Sequence, residues 1–261
     1  MTLTFPNESA EYRAARDKLL EAEIALRRQM EAVSEQRRAL PPGGEVKGDF
    51  RFEGLGDDGK PRTYRLADLF RPGTDQLLMY QMMFPRHAND DREPPEGGET
   101  AKLPLRETPC PSCTVLLDQL DAAAIPFEAA GSNFVVVAKA PLDRLLALAR
   151  DRGWTSLRML HADGDFKRAY HSEDEEGQQL PMTTVFQRAA DGSVRHFWSS
   201  ELTDAPADPG QDPRAQGTIE PFWNMLDLMP GGRPDFLEQM QYDCCDGAEP
   251  PTVEKAPVLV S

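Results

Sequence analysis

The 261-residue chain has few cysteines, few histidines and too little positive charge: four Cys, four His, and 29 Lys and Arg against 44 Asp and Glu. Four cysteines in a chain this long do not make a disulfide framework, so a close pair reads as reactive or metal-binding in a reducing compartment. The formal net charge of -15 argues against nucleic acid as the main partner, because phosphate binding needs clustered Lys and Arg, and against anionic membranes. Long apolar runs are missing too. None approaches the roughly 18 residues a membrane span needs, and Met1-Thr2-Leu3-Thr4-Phe5-Pro6 has neither the basic start nor the apolar core of a secretory signal. A cytoplasmic location is the expectation. His87, His161, His171 and His196 show no H-x-x-x-H or H-E-x-x-H spacing and read as surface or satisfied histidines. His161 is the one to watch, since it falls near the C-terminal side of the expected sheet.

What the chain does have is 39% hydrophobic residues, enough for a core in one large domain or two small ones. It also has one stretch with chemical content, Thr108-Pro109-Cys110-Pro111-Ser112-Cys113-Thr114-Val115-Leu116-Leu117. The apolar residues after Cys113 predict a helix, and a helix start carries unpaired N–H groups and partial positive charge that stabilise a thiolate. Cys110 is therefore the candidate nucleophile. Pro111 suits the first helical position, where its missing N–H costs nothing. Cys113 lies one turn deeper, close enough to close a disulfide. The spacing alone fits a redox pair or half a zinc site. Cys244-Cys245, adjacent and near the C-terminus, would complete a tetrahedral site poorly. No metal and no cofactor is assigned.

Elsewhere the pattern predicts a long helix from about Glu8 to Arg38, capped by Asn7 or Ser9 and ended by Pro41-Pro42-Gly43-Gly44. Tyr12, Leu19, Leu26 and Val33 recur every seven residues, a narrow stripe that packs on its own domain or on a second copy. Asp49–Glu53 and Arg62–Leu66 alternate as a hairpin. Its loop matches two phosphate-binding patterns from Gly54 to Lys60, and both are rejected, because Pro61 and a strand follow where a helix should open. A short helical turn is read at Leu66–Phe70, a buried strand at Gln76–Phe84, and a long polar loop, a lid or mobile insertion, at Pro85–Leu105. Beyond the cysteines come a strand at Asn133–Ala138 and a helix from Pro141 to Arg152 stopped by Gly153. Trp154–Lys167 is ambiguous. Pro181–Gln187 and Val194–Trp198 form an edge hairpin, and Glu220–Met229 a final helix. Acidic runs at residues 89–100 and 172–179 read as solvated surface, Trp198 and Trp223 as core, and the tail from about Tyr242 as disordered.

The order of a buried strand, a Cys-x-x-Cys at a helix start, a βα unit and a proline-led hairpin resembles a thioredoxin fold. More narrowly, Cys110-Pro111-Ser112-Cys113, residues 134–142 (FVVVAKAPL), Gly153-Trp154 and residues 223–233 (WNMLDLMPGGR) are similar to a bacterial thioredoxin-like family, the domain of unknown function 899. The matches span most of residues 5 to 240. The resemblance implies an α/β fold: a central mixed sheet with flanking helices and a long N-terminal helical extension, divided as residues 1–44, 45–241 and a tail, 242–261. It also implies that Pro181 is cis and faces the cysteines, forming a substrate groove with Pro111 and Ser112. Pro109 and Pro111-Ser112 depart from the thioredoxin sequence. Pro104-x-x-x-Thr108 begins a peroxiredoxin pattern that Cys110 breaks by arriving one residue early.

Three readings stay open. The leading one is a dithiol-disulfide oxidoreductase in which Cys110 attacks and Cys113 resolves. The second is a thiol peroxidase acting through a sulfenic acid at Cys110. The third is a non-enzymatic thioredoxin-fold interaction or dimerisation module. The corresponding partners are a disulfide-containing protein, a small-molecule thiol or peroxide, and a second copy joined through the N-terminal helix.

Overall fold

The computed structural model describes residues 3–242, so Cys244, Cys245 and nearly all of the expected tail lie outside the described residues. The chain divides into two compact units, one ending at Gly43 and one beginning at Gly44.

The first unit is built on helix α1 (Ala10–Arg38), within two residues of the expected start. Ser9 is the cap: its Oγ accepts the Tyr12 N–H at 3.0 Å, satisfying one of the donors a helix start leaves free. Arg37 and Arg38 sit in the last turn, where the helix dipole favours cations. A single helix has no interior of its own, and no α1 residue is buried.

The second unit is a seven-stranded mixed sheet in the order β2-β1-β5-β4-β3-β6-β7. Strands β1 (Arg51–Leu55) and β2 (Pro61–Arg65) form the expected antiparallel hairpin. Its Gly-rich loop opens onto a strand, and the Gly56 N–H closes on the Lys60 carbonyl at 2.8 Å, so no helix start is available for phosphate. Strand β3 (Gln76–Gln81) lies between β4 (Asn133–Ala138), parallel to it, and β6 (Met182–Arg188), antiparallel. Strand β7 (Val194–Ser199) closes that edge. The sheet is thus central and mixed, as the resemblance implied. The ambiguous segment resolves into β5 (Met159–Ala162), which joins β4 to the hairpin, and α4 (Gly164–Ala169).

Helices α2 (Pro111–Ala129) and α3 (Leu142–Arg152) connect the central strands. Gly153 ends α3 with φ +72°, the left-handed conformation that glycine adopts without a Cβ penalty. Helix α5 (Pro221–Leu226) is shorter than expected, because Met229-Pro230-Gly231-Gly232 turns away early.

Alternation along the strands sorts the core into two clusters. Phe134, Val136 and Ala138 of β4 join Tyr80, Met82, Leu117, Leu145, Leu148 and both cysteines. Val135 and Val137 join Leu77, Met79, Phe52, Leu160, Phe166 and Phe186. The cysteine pair is thus part of a packed interior.

Three surface expectations are corrected. Residues 85–105 are anchored, since Asp151 accepts from the N–H groups of Glu99 and Thr100 and from Thr100 Oγ1 at 2.7–3.1 Å. The acidic run at 172–179 contains buried Ser172, Glu173 and Gln179; Arg168 and Lys139 reach Glu173 at 2.6 and 2.8 Å, which offsets the cost of burying its charge. Trp198 and Trp223 are only half-buried. His161 is satisfied, with Nδ1 3.1 Å from the Ala140 carbonyl.

Candidate active site

Cys110 caps α2 in extended geometry (φ -66°, ψ 127°), and Pro111 takes the first helical position. The Cys110 N–H donates to the Met83 carbonyl at 3.0 Å, tying the helix start to the chain just beyond β3. Its own carbonyl accepts from the N–H and hydroxyl of Thr114, at 3.0 and 2.9 Å. Both thiols are free, and each residue is only 1% exposed.

Their electrostatics are unequal. Burial alone would push the Cys113 thiol up, but the Cys110 thiol, the Met83 N–H at 3.4 Å and the Tyr80 hydroxyl at 3.3 Å all donate to its sulfur. With the positive charge of Lys167 added, Cys113 lies below the usual thiol value. Cys110 is held high by its hydrogen bond to Cys113, by burial and by its neighbour's charge, with Arg92 pulling the other way. The helix-start argument placed the thiolate on Cys110. In the structure the lowered thiol is Cys113, because more donors converge there than one helix end supplies.

Arg92 covers Cys110, its Nη2 3.8 Å from Sγ. Asp90 fixes that guanidinium in a two-point clamp at 2.7 and 2.9 Å. Arg92 Nη1 donates to Ser112 Oγ and to the Glu238 carbonyl, each at 2.8 Å. The Ser112 hydroxyl donates to Glu238 Oε2 at 2.8 Å, and Trp223 Nε1 donates to Glu238 Oε1 at 2.7 Å. The stretch around Glu238 is therefore a strap across the start of α2. Further along, Arg152 Nη1 holds the Met240 carbonyl at 2.6 Å, and Gln241 Nε2 reaches the Pro94 carbonyl at 3.2 Å. Beneath Arg92, buried Arg86 donates Nη1 to the Arg92 carbonyl at 2.6 Å.

The expected groove is thus rearranged. Ser112 lies against the strap, and Pro111 is buried beneath the helix start. The bond before Pro181 is not cis; among the described residues the cis bond is Phe84–Pro85. The Pro181 carbonyl accepts from Gln216 Nε2 at 3.4 Å. The sequence pattern gave no hint of Tyr80, Arg92, Lys167 or Glu238. Tyr80 lies in an apolar run and Arg92 in an acidic one, and neither has local spacing that marks it.

Among the described residues, no three His, Cys, Asp or Glu side chains form a cluster that could hold a metal ion, and no helix is long and apolar enough to cross a membrane. None of the curated proteins is similar to the chain in sequence. Several solved structures are distantly similar. AhpC from Enterococcus faecalis is 12% identical, with 74% of this chain and 96% of that one covered, at a TM-score of 0.41. Reduced Prx3 from Vibrio vulnificus, in complex with hydrogen peroxide, is 13% identical over 66% and 91%, at 0.37. A thiol:disulfide interchange protein of the thioredoxin family from Chlorobium tepidum is 16% identical over 70% and 97%, at 0.35. These likenesses are too distant to assign a reaction. A bacterial family of unknown function, DUF899, matches residues 2–245, nearly the whole chain, and the protein belongs to that family.

Proposed function

We propose that the protein is a dithiol-disulfide oxidoreductase, acting in a reducing compartment through Cys110 and Cys113. The observation that supports it is the pair itself: two unbridged thiols one turn apart at a helix start, with three donors converging on one sulfur. The reacting form of the pair shares one proton between the two sulfurs, with Cys113 the more readily ionised of the two. As Cys110 attacks a substrate disulfide, its proton passes to Cys113, a mixed disulfide forms and one substrate thiolate leaves. Cys113 then passes that proton to the first substrate thiolate, attacks the Cys110 sulfur and releases the second substrate thiolate. Two electrons pass from the dithiol to the substrate, leaving a Cys110–Cys113 disulfide. Of the expected groove residues this reading keeps Ser112, which is freed when the strap lifts.

The burial of both thiols favours a second reading, in which the protein is a non-enzymatic interaction module that keeps an incidental pair. Exchange against a model aromatic disulfide separates the two. An oxidoreductase reacts, loses the reaction in Cys110→Ser and stops at a trapped mixed disulfide in Cys113→Ser. A module shows neither exchange nor alkylation in the folded state. Peroxide in the same assay tests the peroxidase alternative, which alone keeps a single turnover when only Cys113 is lost.

A further inference from the structure

Lys167 is fully buried on α4, a rare position for a lysine, because an ammonium without strong partners is costly to take out of water. Its neighbour Phe166 belongs to the core cluster that excludes the cysteines, yet Lys167 points toward the end of β3. There its Nζ donates to the Met82 carbonyl at 3.4 Å. The next N–H along the chain, that of Met83, donates to Cys113 Sγ at 3.4 Å. The Met82 carbonyl and the Met83 N–H belong to one planar peptide group and point in opposite directions. A cation on the oxygen draws electrons from the amide and makes its N–H a stronger donor, as in any polarised chain of hydrogen bonds. The lysine and the sulfur therefore share a peptide without touching.

We propose that Lys167 is a positioning residue for the dithiol: its ammonium polarises the Met82–Met83 peptide and so strengthens the hydrogen bond that the Met83 N–H donates to the Cys113 sulfur. The assignment rests on the oxidoreductase reading for its purpose, since it keeps Cys113 ready to attack the Cys110 sulfur of a mixed disulfide. That step forms the Cys110–Cys113 bond, breaks the bond to substrate and releases substrate thiolate, with no further reactant. The charged groups facing Lys167 are Cys113, Glu173 and Lys139. Those facing Cys113 are Cys110, Tyr80 and Lys167. Burial, the dominant influence, lowers the lysine to about 8, partly offset by Cys113 and Glu173. Its support for a thiolate is thus greatest below about pH 8 and fades as the ammonium loses its proton.

The test follows thiolate absorbance against pH in reduced full-length protein with Cys110, Cys244 and Cys245 changed to serine, leaving Cys113 as the one thiol. Lys167→Met keeps the stem and removes the charge, and the Cys113 midpoint is expected to rise by about one pH unit. Lys167→Arg restores a cation and is expected to bring the midpoint most of the way back. A folded Lys167→Met protein with an unmoved midpoint overturns the proposal, as does a Lys167→Arg midpoint as high as that of Lys167→Met. Should Lys167→Met fail to fold, the decision passes to NMR on Cys113→Ser, which retains the native lysine. The Met83 amide resonance is expected to move with the deprotonation seen at the Lys167 side chain, and an amide that stays flat overturns the assignment. Wild-type exchange activity separates the two levels. An inactive protein whose Cys113 midpoint depends on Lys167 retires the redox reading alone, whereas an active one whose midpoint ignores Lys167 retires this inference alone.

Discussion

At the scale of single residues, the site works by unequal donation to two sulfurs three positions apart. Tyr80 supplies one of the donors to Cys113, and its own ionisation is pushed well up, first by burial and then by the facing thiols, so it remains a donor. A hydrogen bond to a charged acceptor contributes about 1.5–3 kcal/mol. Tyr80→Phe, which deletes the hydroxyl and little else, is therefore expected to raise the Cys113 midpoint by about one pH unit, read by thiolate absorbance; an unchanged midpoint would remove Tyr80 from the site. Glu220 gives a second prediction, on stability. Burial, helped by the negative charge of Glu238, raises it from 4.5 to about 7, with Arg233 opposing. A carboxyl raised on folding favours the folded state fully below its unfolded value, and that contribution is lost as pH climbs through the folded one. Denaturant midpoints should fall between pH 4.5 and about 7 and level off above, in step with the Glu220 titration. Glu220→Gln is expected to flatten that slope, and a slope that persists unchanged assigns it to other groups.

At the scale of elements, the strap around Glu238 covers the start of α2, where the dithiol lies. Its carboxylate joins Trp223 on α5 to Ser112 on α2, while its carbonyl takes Arg92. Glu238→Ala removes two hydrogen bonds to a charged group and should lower the free energy of local opening accordingly. Alkylation of Cys110 by iodoacetamide is expected to speed up about tenfold or more, since each 1.4 kcal/mol is a factor of ten. Equal rates in the two proteins would show that some other element controls access. The strap also marks the limit of what the sequence discloses. Strand β4 could be read from the five contiguous apolar residues 134–138, three of them β-branched, and the end of α3 from Gly153, because both signals are local. The bond from Ser112 to Glu238 spans 126 positions and that from Arg92 spans 146, and no periodicity marks such a pair. The same holds for the lowering of the Cys113 thiol. The helix start was legible, but the Tyr80, Met83 and Lys167 contacts arrive only when β3 and α4 close around it. Charge runs misled for a related reason, since an acidic segment looks solvated until Lys139 and Arg168 are brought to Glu173.

At the scale of the whole molecule, the two units differ in what can stabilise them. The unit beginning at Gly44 contains both core clusters, every strand among the described residues and the dithiol, so its folding draws on buried apolar area within itself. The first unit has one helix of 29 residues, roughly 43 Å at 1.5 Å per residue. Tyr12, Leu19, Leu26 and Val33 remain 40–60% exposed at seven-residue intervals, the spacing of a two-stranded coiled-coil seam. An isolated helix gains most of its stability from packing an apolar face, so this one is expected to find its partner in a second copy of the chain. Deleting residues 1–43 separates the contributions. The shortened protein should keep a single cooperative unfolding transition and the thiol titration of the full chain, since neither core cluster loses a residue. Sedimentation equilibrium should show the full chain as a dimer and the shortened one as a monomer. Glutamate at both Leu19 and Leu26 should give the same result without the deletion, because two charges in so narrow a seam leave too little apolar surface to hold the copies together. A full-length monomer at micromolar concentration would end the dimer reading, while leaving the chemistry of Cys110 and Cys113, carried entirely by the second unit, untouched.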